Sequence, residues 1–310
     1  MHIGILILTP SSSTRDRRIP DYARMLRDEA KKQGYRVSII RFDRCQMVWD
    51  QMGPRVLYQG KKFPDVDIVI PRIGIRMSNL IKISIVKQIQ MMGIPVVNSF
   101  LPISRAKDKL RTMQILSYNG IPIPKTVVVN KLEYLDTALK KIGTLPVILK
   151  TSFGSLGVGV AIVESRRSLI SALDVFWSRL GNDIIMMQEY IKESEGKDIR
   201  VFVVGGKIIA SMERKAKEGE FRSNIHRGGT GAPVKLTNYE KKLALRAVKA
   251  LKLDVAGVDL LEKKGGAVVM EVNCNPGLES ITETTGVNVS SAVIKYAVEK
   301  ARLKKSKVEY

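Results

Sequence analysis

The sequence contains few cysteines and no long hydrophobic run. Cys45 and Cys274 are the two cysteines among 310 residues, and they lack CxxC spacing. This excludes a disulfide or zinc framework and favours a reducing compartment. No run approaches the ~18 apolar residues of a membrane span. The apolar start, 3–8, is too short for a signal peptide and lacks a basic lead. The sequence therefore predicts a soluble, cytoplasmic protein with no membrane partner.

Two common nucleotide-binding motifs are also missing. No GxGxxG follows the first apolar run, 2–9, so the dinucleotide fingerprint is absent. Lys150 precedes the glycine-rich segment 151–159, but no GK[ST] closes this segment, which excludes a Walker loop. Its glycines and hydroxyls can still wrap phosphates with backbone N–H groups. A plain turn is the alternative interpretation.

Acidic residues are scarce relative to basic ones. Lys plus Arg number 52 against 30 Asp plus Glu, which gives a formal charge of +22. Such a field attracts polyanions, including nucleotides, nucleic acid, ribosomes and acidic peptides. Direct nucleic-acid binding is compatible with this charge but is not required by it. A generally basic proteome is the alternative explanation.

Strand and helix patterns alternate over roughly the first hundred residues, which favours a parallel α/β domain. The predicted strands are 2–9, 37–42, 67–70 (ended by Pro71) and 95–97. The predicted helices are 21–33 and 81–92 in this part, followed by one basic amphipathic helix over 104–116. A capping box at 237–240 predicts the start of a later helix.

The most informative stretch is 256–286, which begins with two β-rich runs around a polar turn and therefore predicts a hairpin. With the turn centred on Gly265, Asp259 lies opposite Glu271, with Cβ atoms roughly 5 Å apart. Two such carboxylates would force one to take up a proton, and a divalent cation removes that conflict. Asn273 adds a neutral oxygen on the same face, which completes a set suited to Mg²⁺. Polar residues on the wet face of an edge hairpin are the alternative interpretation.

A second unusual segment, 213–229, is rich in basic side chains and has almost no apolar pattern. Such a loop is not held in place by packing of its own side chains. A disordered basic tract that binds RNA is one interpretation. Asn224 and the Gly228-Gly229 pair favour the other, a fixed loop shaped around an anion.

Five motifs occur in order along the chain: VIPRIG at 69–74, RAKDKLRTMQIL at 105–116, QEYI at 188–191, AKEGEFRSNIHRGG at 216–229 and MEVNCNPGLESITETTG at 270–286. On these motifs the chain resembles the ATP-grasp superfamily, and within it the RimK-type α-L-glutamate ligases, over nearly its whole length. The resemblance implies an α/β protein with the ATP-grasp fold. The implied parts are an N-terminal parallel α/β pre-ATP-grasp domain (1–103), a small central lid domain (104–187), a C-terminal domain (188–302) and a basic tail (303–310).

The resemblance also implies an activity. ATP, held with Mg²⁺ or Mn²⁺ and two ions in all, would activate a carboxylate as an acyl phosphate, which the amine of L-glutamate then attacks. The implied acceptor is the acidic C-terminal tail of the sixth protein of the small ribosomal subunit, with poly-α-glutamate as a further product, and the implied assembly is a homotetramer. Another acceptor, such as an amino-group carrier peptide or a coenzyme tail, stays open. A non-catalytic, nucleotide-dependent RNA- or ribosome-binding protein is the rival from another class.

Roles for individual residues follow from the same motifs. The implied nucleotide contacts are Lys109, Lys150, Glu189, Tyr190, Ile191, Asp198, Arg222, Ser223 and Asn224. Among them, 189–191 resemble the adenine hinge, and Asp198 resembles the acceptor of the ribose hydroxyls. The implied catalytic residues are Arg200, Arg214, Arg222 and Asn224, with Arg200 and Arg214 as clamps for the acyl phosphate. The implied metal ligands are Asp259, Glu271 and Asn273. The loop 11–20 and the net charge depart from the family pattern, so the sequence does not fix the acceptor.

Overall fold

The computed structural model describes residues 1–8, 19–73, 80–152, 159–180, 184–220, 223 and 228–305. The strands are β1 (His2–Leu8), β2 (Arg36–Arg41), β3 (Cys45–Asp50), β4 (Gly53–Tyr58), β5 (Lys61–Lys62), β6 (Ile68–Ile73), β7 (Thr126–Val129), β8 (Val147–Thr151), β9 (Val160–Val163), β10 (Ile185–Glu189), β11 (Lys197–Val204), β12 (Lys207–Lys215), β13 (Thr230–Pro233), β14 (Val255–Lys263) and β15 (Gly266–Asn273). The helices are α1 (Asp21–Lys32), α2 (Leu80–Met91), α3 (Phe100–Lys107), α4 (Lys109–Tyr118), α5 (Leu135–Ile142), α6 (Arg166–Leu180), α7 (Asn238–Leu251), α8 (Glu279–Thr285) and α9 (Val289–Lys305).

The N-terminal part contains a parallel sheet in the order β2–β1–β6, as the alternating pattern predicts. The predicted end of the third strand at Pro71 is wrong, because β6 continues through Pro71, which pairs with Leu6. A proline is accommodated there because β6 lies at the edge of this sheet. The predicted strand at 95–97 is reduced to an isolated bridge between Val69 and Val96. A small antiparallel sheet, β3–β4–β5, was not predicted.

The predicted single helix over 104–116 is in fact two helices, α3 and α4. Asp108 separates them with an extended backbone, at φ −101° and ψ 110°. Its carboxylate accepts hydrogen bonds from the backbone N–H groups of Leu110 at 3.0 Å and Arg111 at 3.2 Å. Asp108 therefore caps the N-terminus of α4, and the amphipathic pattern alone does not distinguish this break from a continuous helix.

The remaining two sheets are antiparallel and lie on either side of the candidate site. The first has the order β7–β10–β8–β9 and packs on α5 and α6 through its own apolar cluster. The second has the order β13–β12–β11–β14–β15 and carries α7, whose predicted capping box between Thr237 and Glu240 is confirmed. The predicted domain borders at 103/104 and 187/188 fall within α3 and β10, and the division stays a prediction.

Helices from opposite ends of the described chain pack together. Apolar residues of β1, α1 and α9 share one buried cluster, which includes Leu26 and Val293. Asn288 donates a hydrogen bond to Glu29 at 2.8 Å, and Gln33 donates one to Ser291 at 3.2 Å. The N-terminal sheet is therefore covered in part by the last helix. Among the described residues, no helix has both the length and the apolar composition needed to cross a membrane.

Candidate active site

The predicted pairing of Asp259 with Glu271 is confirmed, although two departures from the simple hairpin produce it. The turn is formed by Lys264 and Gly265, because Lys263 already pairs with Gly266. Alone, this turn would place Met270 opposite Asp259. A bulge between Asp259 and Leu260 leaves Met270 without a partner and restores the pair. A bulge of this kind re-aims the side chains beyond it, so Glu271 shares a sheet face with Asp259.

Three neighbouring strands build a cluster of opposite charges beside the hairpin. Arg200 on β11 is the direct cross-strand partner of Asp259 on β14. Asp198, two residues before Arg200, is the cross-strand partner of Arg214 on β12. Residues at positions i and i+2 of a strand share a face, so the register alone brings these four side chains together.

Asp259 is almost fully buried, at 1% exposure, and binds both arginines. Arg200 donates from Nε to Oδ1 and from Nη2 to Oδ2, the latter at 2.7 Å. Arg214 Nη2 lies 3.0 Å from the same Oδ2. Burial by itself would raise the pKa of Asp259, but Arg200 and Arg214 outweigh burial and hold it below its usual value. Asp259 therefore stays ionised and is held in one orientation.

Asp198 is predicted to accept the ribose hydroxyls, and the structure gives it strong partners within the protein. Arg214 donates from Nε and Nη2 to its two oxygens at 2.7 and 2.8 Å. Ser223 donates its hydroxyl to Oδ2. A ribose hydroxyl would join these donors around a buried carboxylate, and the assignment stays a prediction. The contact does bring Ser223, another predicted site residue, to the cluster.

Lys150 lies at the centre of a second polar group. Its Nζ donates to Gln188 Oε1 at 2.5 Å, and Gln188 Nε2 donates to Thr126 Oγ1 at 2.9 Å. Burial lowers the pKa of Lys150 to about 8, with Glu271 opposing the shift and Lys109 adding to it. The structure thus brings together both predicted nucleotide lysines and one predicted metal ligand.

The Lys150 group lines a pocket together with Glu271, the cross-strand partner of Asp259. This pocket is lined by Ala106, Lys109, Thr112, Met113, Lys150, Met186, Gln188, Met270, Glu271 and Val272. The lysines and Glu271 supply its charge, whereas methionine, valine and alanine side chains supply apolar walls. A pocket with apolar walls and a few convergent charges suits a flat base attached to phosphates.

The predicted hinge, 189–191, connects the two antiparallel sheets. The Glu189 backbone N–H donates to the Lys125 carbonyl at 2.8 Å, and its carboxylate accepts from Lys263 Nζ at 2.7 Å. Ile191 is buried, whereas Tyr190 is partly exposed. Lys263 is the last residue of β14, the strand that carries Asp259. Its ion pair with Glu189 therefore links the hinge directly to the acidic hairpin.

Some predicted residues lie outside the described part of the chain, and some site residues were not predicted. Arg222 and Asn224 lie outside the described residues. Gln188 was missed as a partner of Lys150, although it begins the QEYI motif. Arg72, in the VIPRIG motif, was not singled out either, and it donates a hydrogen bond to the Pro276 carbonyl at 2.9 Å. Cys274 is buried, and burial raises the pKa of its thiol, so the thiol stays protonated and is not a nucleophile.

The hairpin residues fit a divalent cation only if the substrate completes the site. No group of three or more His, Cys, Asp or Glu side chains able to hold a metal occurs among the residues the structure describes. Asp259, Glu271 and Asn273 offer oxygen atoms only, which suits Mg²⁺ that keeps positions for water and phosphate. Asp259 already accepts three N–H groups of its roughly four possible. The protein thus provides an incomplete, hard-oxygen site, as expected for a metal bound together with a nucleotide.

A close approach at Gly257 positions the cluster. A Cβ atom at Gly257 would lie 2.9 Å from Pro276 Cβ and 3.2 Å from Arg200 Cδ. We expect Gly257→Ala to displace Arg200, to lower the free energy of unfolding by about 1–3 kcal/mol, and to reduce turnover. Thermal melts and steady-state rates measure both effects. Gly277→Ala is the matched control, because nothing lies within 4 Å of its Cβ position. Equal behaviour of the two variants would contradict this account.

Comparisons with known proteins agree with this arrangement. The family model of the RimK PreATP-grasp domain matches residues 1–103, and that of the RimK-like ATP-grasp domain matches residues 106–297. A probable alpha-L-glutamate ligase of Aliivibrio fischeri is 40% identical over 307 residues, covering 99% of this chain and 98% of that protein. Probable alpha-L-glutamate ligase 1 of Shewanella denitrificans is 43% identical over 279 residues, covering 90% of this chain and 94% of that protein.

A solved structure extends the similarity to the fold. The ATP-grasp ligase PsnB, complexed with a phosphomimetic variant of a minimal precursor, Mg and ADP, has a TM-score of 0.72 at 15% identity, covering 96% of this chain and 98% of that one. The predicted ATP-grasp fold and the predicted enzyme class, an ATP-dependent carboxylate–amine ligase, are confirmed. On its motifs, its fold and the two family models, the chain belongs to the RimK-like ATP-grasp family.

Proposed function

We propose that the enzyme adds L-glutamate to the C-terminal carboxylate of an acidic protein tail, with the sixth protein of the small ribosomal subunit as the acceptor and poly-α-glutamate as a further product. The observation that carries this proposal is the pairing of Asp259 with Glu271 next to a pocket that contains Lys109 and Lys150. Carboxylates and lysines at one pocket suit a nucleotide triphosphate. The names of the two curated relatives support glutamate as the amine substrate.

The proposed reaction has two steps. A carboxylate oxygen of the acceptor attacks the γ-phosphorus of ATP, and ADP leaves with the electron pair of the broken P–O bond. The glutamate amine then attacks the acyl carbon, phosphate leaves, and the nitrogen loses a proton as the amide forms. Charge develops on phosphoryl and acyl oxygens, so catalysis requires fixed cations and positioning. Neither step requires a cysteine or serine nucleophile.

We propose roles for the site residues from the sequence motifs, and the contacts of those that the structure describes support them. Lys109 and Lys150 bind phosphate oxygens, and the hinge at 189–191 binds the base. Asp198, Arg222, Ser223 and Asn224 complete the nucleotide site. Arg200 and Arg214 stabilise the charge of the acyl phosphate. Asp259, Glu271 and Asn273 hold Mg²⁺ or Mn²⁺, two ions in all, which when bound neutralise the charge of the triphosphate.

The direct test supplies ATP and L-glutamate to the purified protein with a synthetic peptide that ends in glutamate. We expect ADP release that depends on glutamate, and a peptide mass that increases by whole glutamyl residues. ADP release without a gain in peptide mass would favour a different acceptor, such as an amino-group carrier peptide or a coenzyme tail. Nucleotide binding without ADP release would favour the non-catalytic RNA- or ribosome-binding alternative.

The charge of +22 leads to a prediction about salt. If the basic surface recruits the acidic tail, raising the salt concentration should weaken binding of a glutamate-tailed peptide more than that of a neutral-tailed one. The reason is screening, since the Debye length falls from ~10 Å at 0.1 M to ~3 Å at 1 M. Titration of labelled peptides at several salt concentrations measures this difference. Parallel loss for both peptides would favour docking on ribosomal RNA, which RNase treatment of ribosomal fractions would reveal.

Three broader features belong to the same proposal. We assign residues 1–103, 104–187 and 188–302 to the pre-ATP-grasp, lid and C-terminal domains, with a basic tail at 303–310. We expect a homotetramer that acts in the cytoplasm. Size measurement in solution and fractionation of cells test these two expectations.

A further inference from the structure

Arg72 lies at the carboxyl edge of the N-terminal parallel sheet. It is on β6, where it pairs with Ile7 near the end of β1. In open α/β sheets, ligands bind outside the carboxyl ends of the strands. The position of Arg72 therefore places a guanidinium group where such sheets hold their ligands.

The guanidinium of Arg72 is buried, and none of the described residues supplies it with a counter-ion. The residue has 4% exposure, and Nη2 donates to the Pro276 carbonyl at 2.9 Å. Its Cζ lies 5.2 Å from the centroid of the Tyr22 ring. Nε has no hydrogen-bond partner, and no carboxylate pairs with this side chain among the residues that the structure describes. Burial lowers the pKa of Arg72 to about 10, yet the group stays a cation at neutral pH.

A buried cation of this kind is unusual, because buried charges are normally paired. The other buried arginine of the site shows the normal arrangement, since Arg214 binds two carboxylates. An unsatisfied buried polar group indicates a missing partner. Guanidinium N–H groups match a carboxylate or a phosphate in pairs. Because the proposed function already assigns the phosphates to Lys109 and Lys150, a carboxylate is the partner that we consider.

Arg72 lies close to the proposed reaction centre. Pro276, which accepts the hydrogen bond from Arg72, packs over Gly257 together with Arg200. Arg200 in turn binds Asp259. Arg72 and Arg200 therefore approach the same part of the hairpin from different sheets. Within the described part of the chain, a carboxylate neutralises Arg200 but none neutralises Arg72.

We propose that Arg72 binds a carboxylate of the glutamate substrates that takes no part in the bond being formed. This inference rests on the proposed glutamate-ligase function. Two sources supply such a carboxylate: the incoming free glutamate, through its α- or γ-carboxylate, and the acceptor tail, through the side chain of a glutamate near its end. In both cases Arg72 positions an anion from the N-terminal sheet while the C-terminal sheet carries the reacting groups.

The test compares charged substrates with their neutral amides. For the free amino acid, L-glutamate is compared with L-isoglutamine, the α-amide, and with L-glutamine, the γ-amide. For the acceptor, a peptide ending in Glu-Glu is compared with one ending in Gln-Glu. In the wild type we expect kcat/KM, measured from ADP release and product mass, to favour the carboxylate at one of these positions by about 10- to 100-fold. The position that shows this preference identifies the source.

Arg72→Gln should reduce that one preference to within about threefold, because the amide side chain no longer distinguishes charge. The KM for ATP should change little, and Arg72→Lys should retain part of the preference. Arg246→Gln is the matched control, since Arg246 is exposed and donates to the carbonyls of Asn119 and Gly120, both at 3.0 Å. It should leave every preference unchanged.

A purely structural role for Arg72 predicts a different result. Loss of the hydrogen bond to Pro276 would lower all rates in parallel, and an unchanged preference in Arg72→Gln would overturn the inference. If Arg72→Gln fails to fold, Arg72→Lys and the wild type still test the inference. A wild type that uses every amide substrate as well as the corresponding acid contradicts the inference by itself. A wild type with no glutamate-dependent ADP release would instead refute the proposed function.

Discussion

Replacing Asp259 by asparagine should lower turnover at least about a hundredfold and also lower the free energy of unfolding by about 3–5 kcal/mol. The first effect follows from its proposed role as a metal ligand. The second follows from its contacts, because the partly buried Arg200 and the buried Arg214 would be left beside a neutral amide. ADP release and denaturant-induced unfolding measure the two effects. From the sequence alone, Asp259→Asn is expected to leave the fold intact. The ion pairs seen in the structure instead predict a loss of stability.

Glu271→Gln separates the two effects. Glu271 is partly exposed and its role is in the pocket, so the variant should lose turnover to a similar extent while keeping most of its stability. Asp136→Asn is the control for removing a carboxylate from an exposed pair, with Arg166 at 3.1 Å. It should change stability by about 0–1 kcal/mol. Near-normal turnover in both Asp259→Asn and Glu271→Gln would refute the metal assignment.

Replacing Lys150 by methionine should raise the KM for ATP about 10- to 100-fold, because one charged donor to the phosphates is lost. The glutamate requirement should change much less. Lys131→Met is the matched control, since Lys131 is 65% exposed and pairs with nearby Glu133. Initial rates at varied ATP and varied glutamate measure the contrast. An unchanged KM for ATP in Lys150→Met would count against the assignment.

The lowered pKa of Lys150, about 8, adds a pH dependence. Below this pH the side chain is an ammonium that can bind phosphate, and above it the charge is lost in the free enzyme. Phosphate favours the ammonium and raises its pKa in the complex, so ATP binding takes up a proton above pH 8. ATP affinity should therefore fall with rising pH by up to about tenfold per unit. Lys150→Arg keeps its charge and should bind ATP with little pH dependence over the same range.

The hairpin shows how far sequence reasoning reaches. The pairing of Asp259 with Glu271 was predicted from a turn centred on Gly265, whereas the structure combines an earlier turn with a bulge at Met270. The earlier turn and the bulge shift the register by one residue in opposite directions. The simple hairpin therefore predicted the correct pair without including either feature. Composition locates turns to within a residue, but a bulge depends on how a strand packs against its neighbours.

The ion pairs were less accessible to sequence reasoning. Arg200 and Asp259 are 59 positions apart in the chain, and their contact depends on the register between β11 and β14. Arg200 and Arg214 were named as clamps through family motifs, without their carboxylate partners. Arg72 was passed over because an arginine within an apolar strand motif has no periodic signal, and its burial depends on Tyr22 and Pro276.

The β3–β4–β5 sheet was missed for a different reason. Its strands are mostly half-exposed, so they lack the continuous apolar runs that mark buried strands. The break between α3 and α4 was missed because the helical pattern continues across Asp108. Both the small sheet and the helix break depend on local backbone conformation and hydrogen bonding rather than on the hydrophobic pattern.

The packing of α1 against α9 also has a consequence for how the polypeptide acquires its structure. Gln33 and Ser291 are in contact although 258 positions separate them. Ordering a contact of such sequence separation requires closing a very long loop, which slows folding. During synthesis, β1 and α1 leave the ribosome long before α9 is made. Until then, the apolar faces that α9 covers in the folded protein stay exposed. The N-terminal sheet is therefore made first and completed last, and nascent chains that have not reached α9 would expose Leu26 and its neighbours to chaperones.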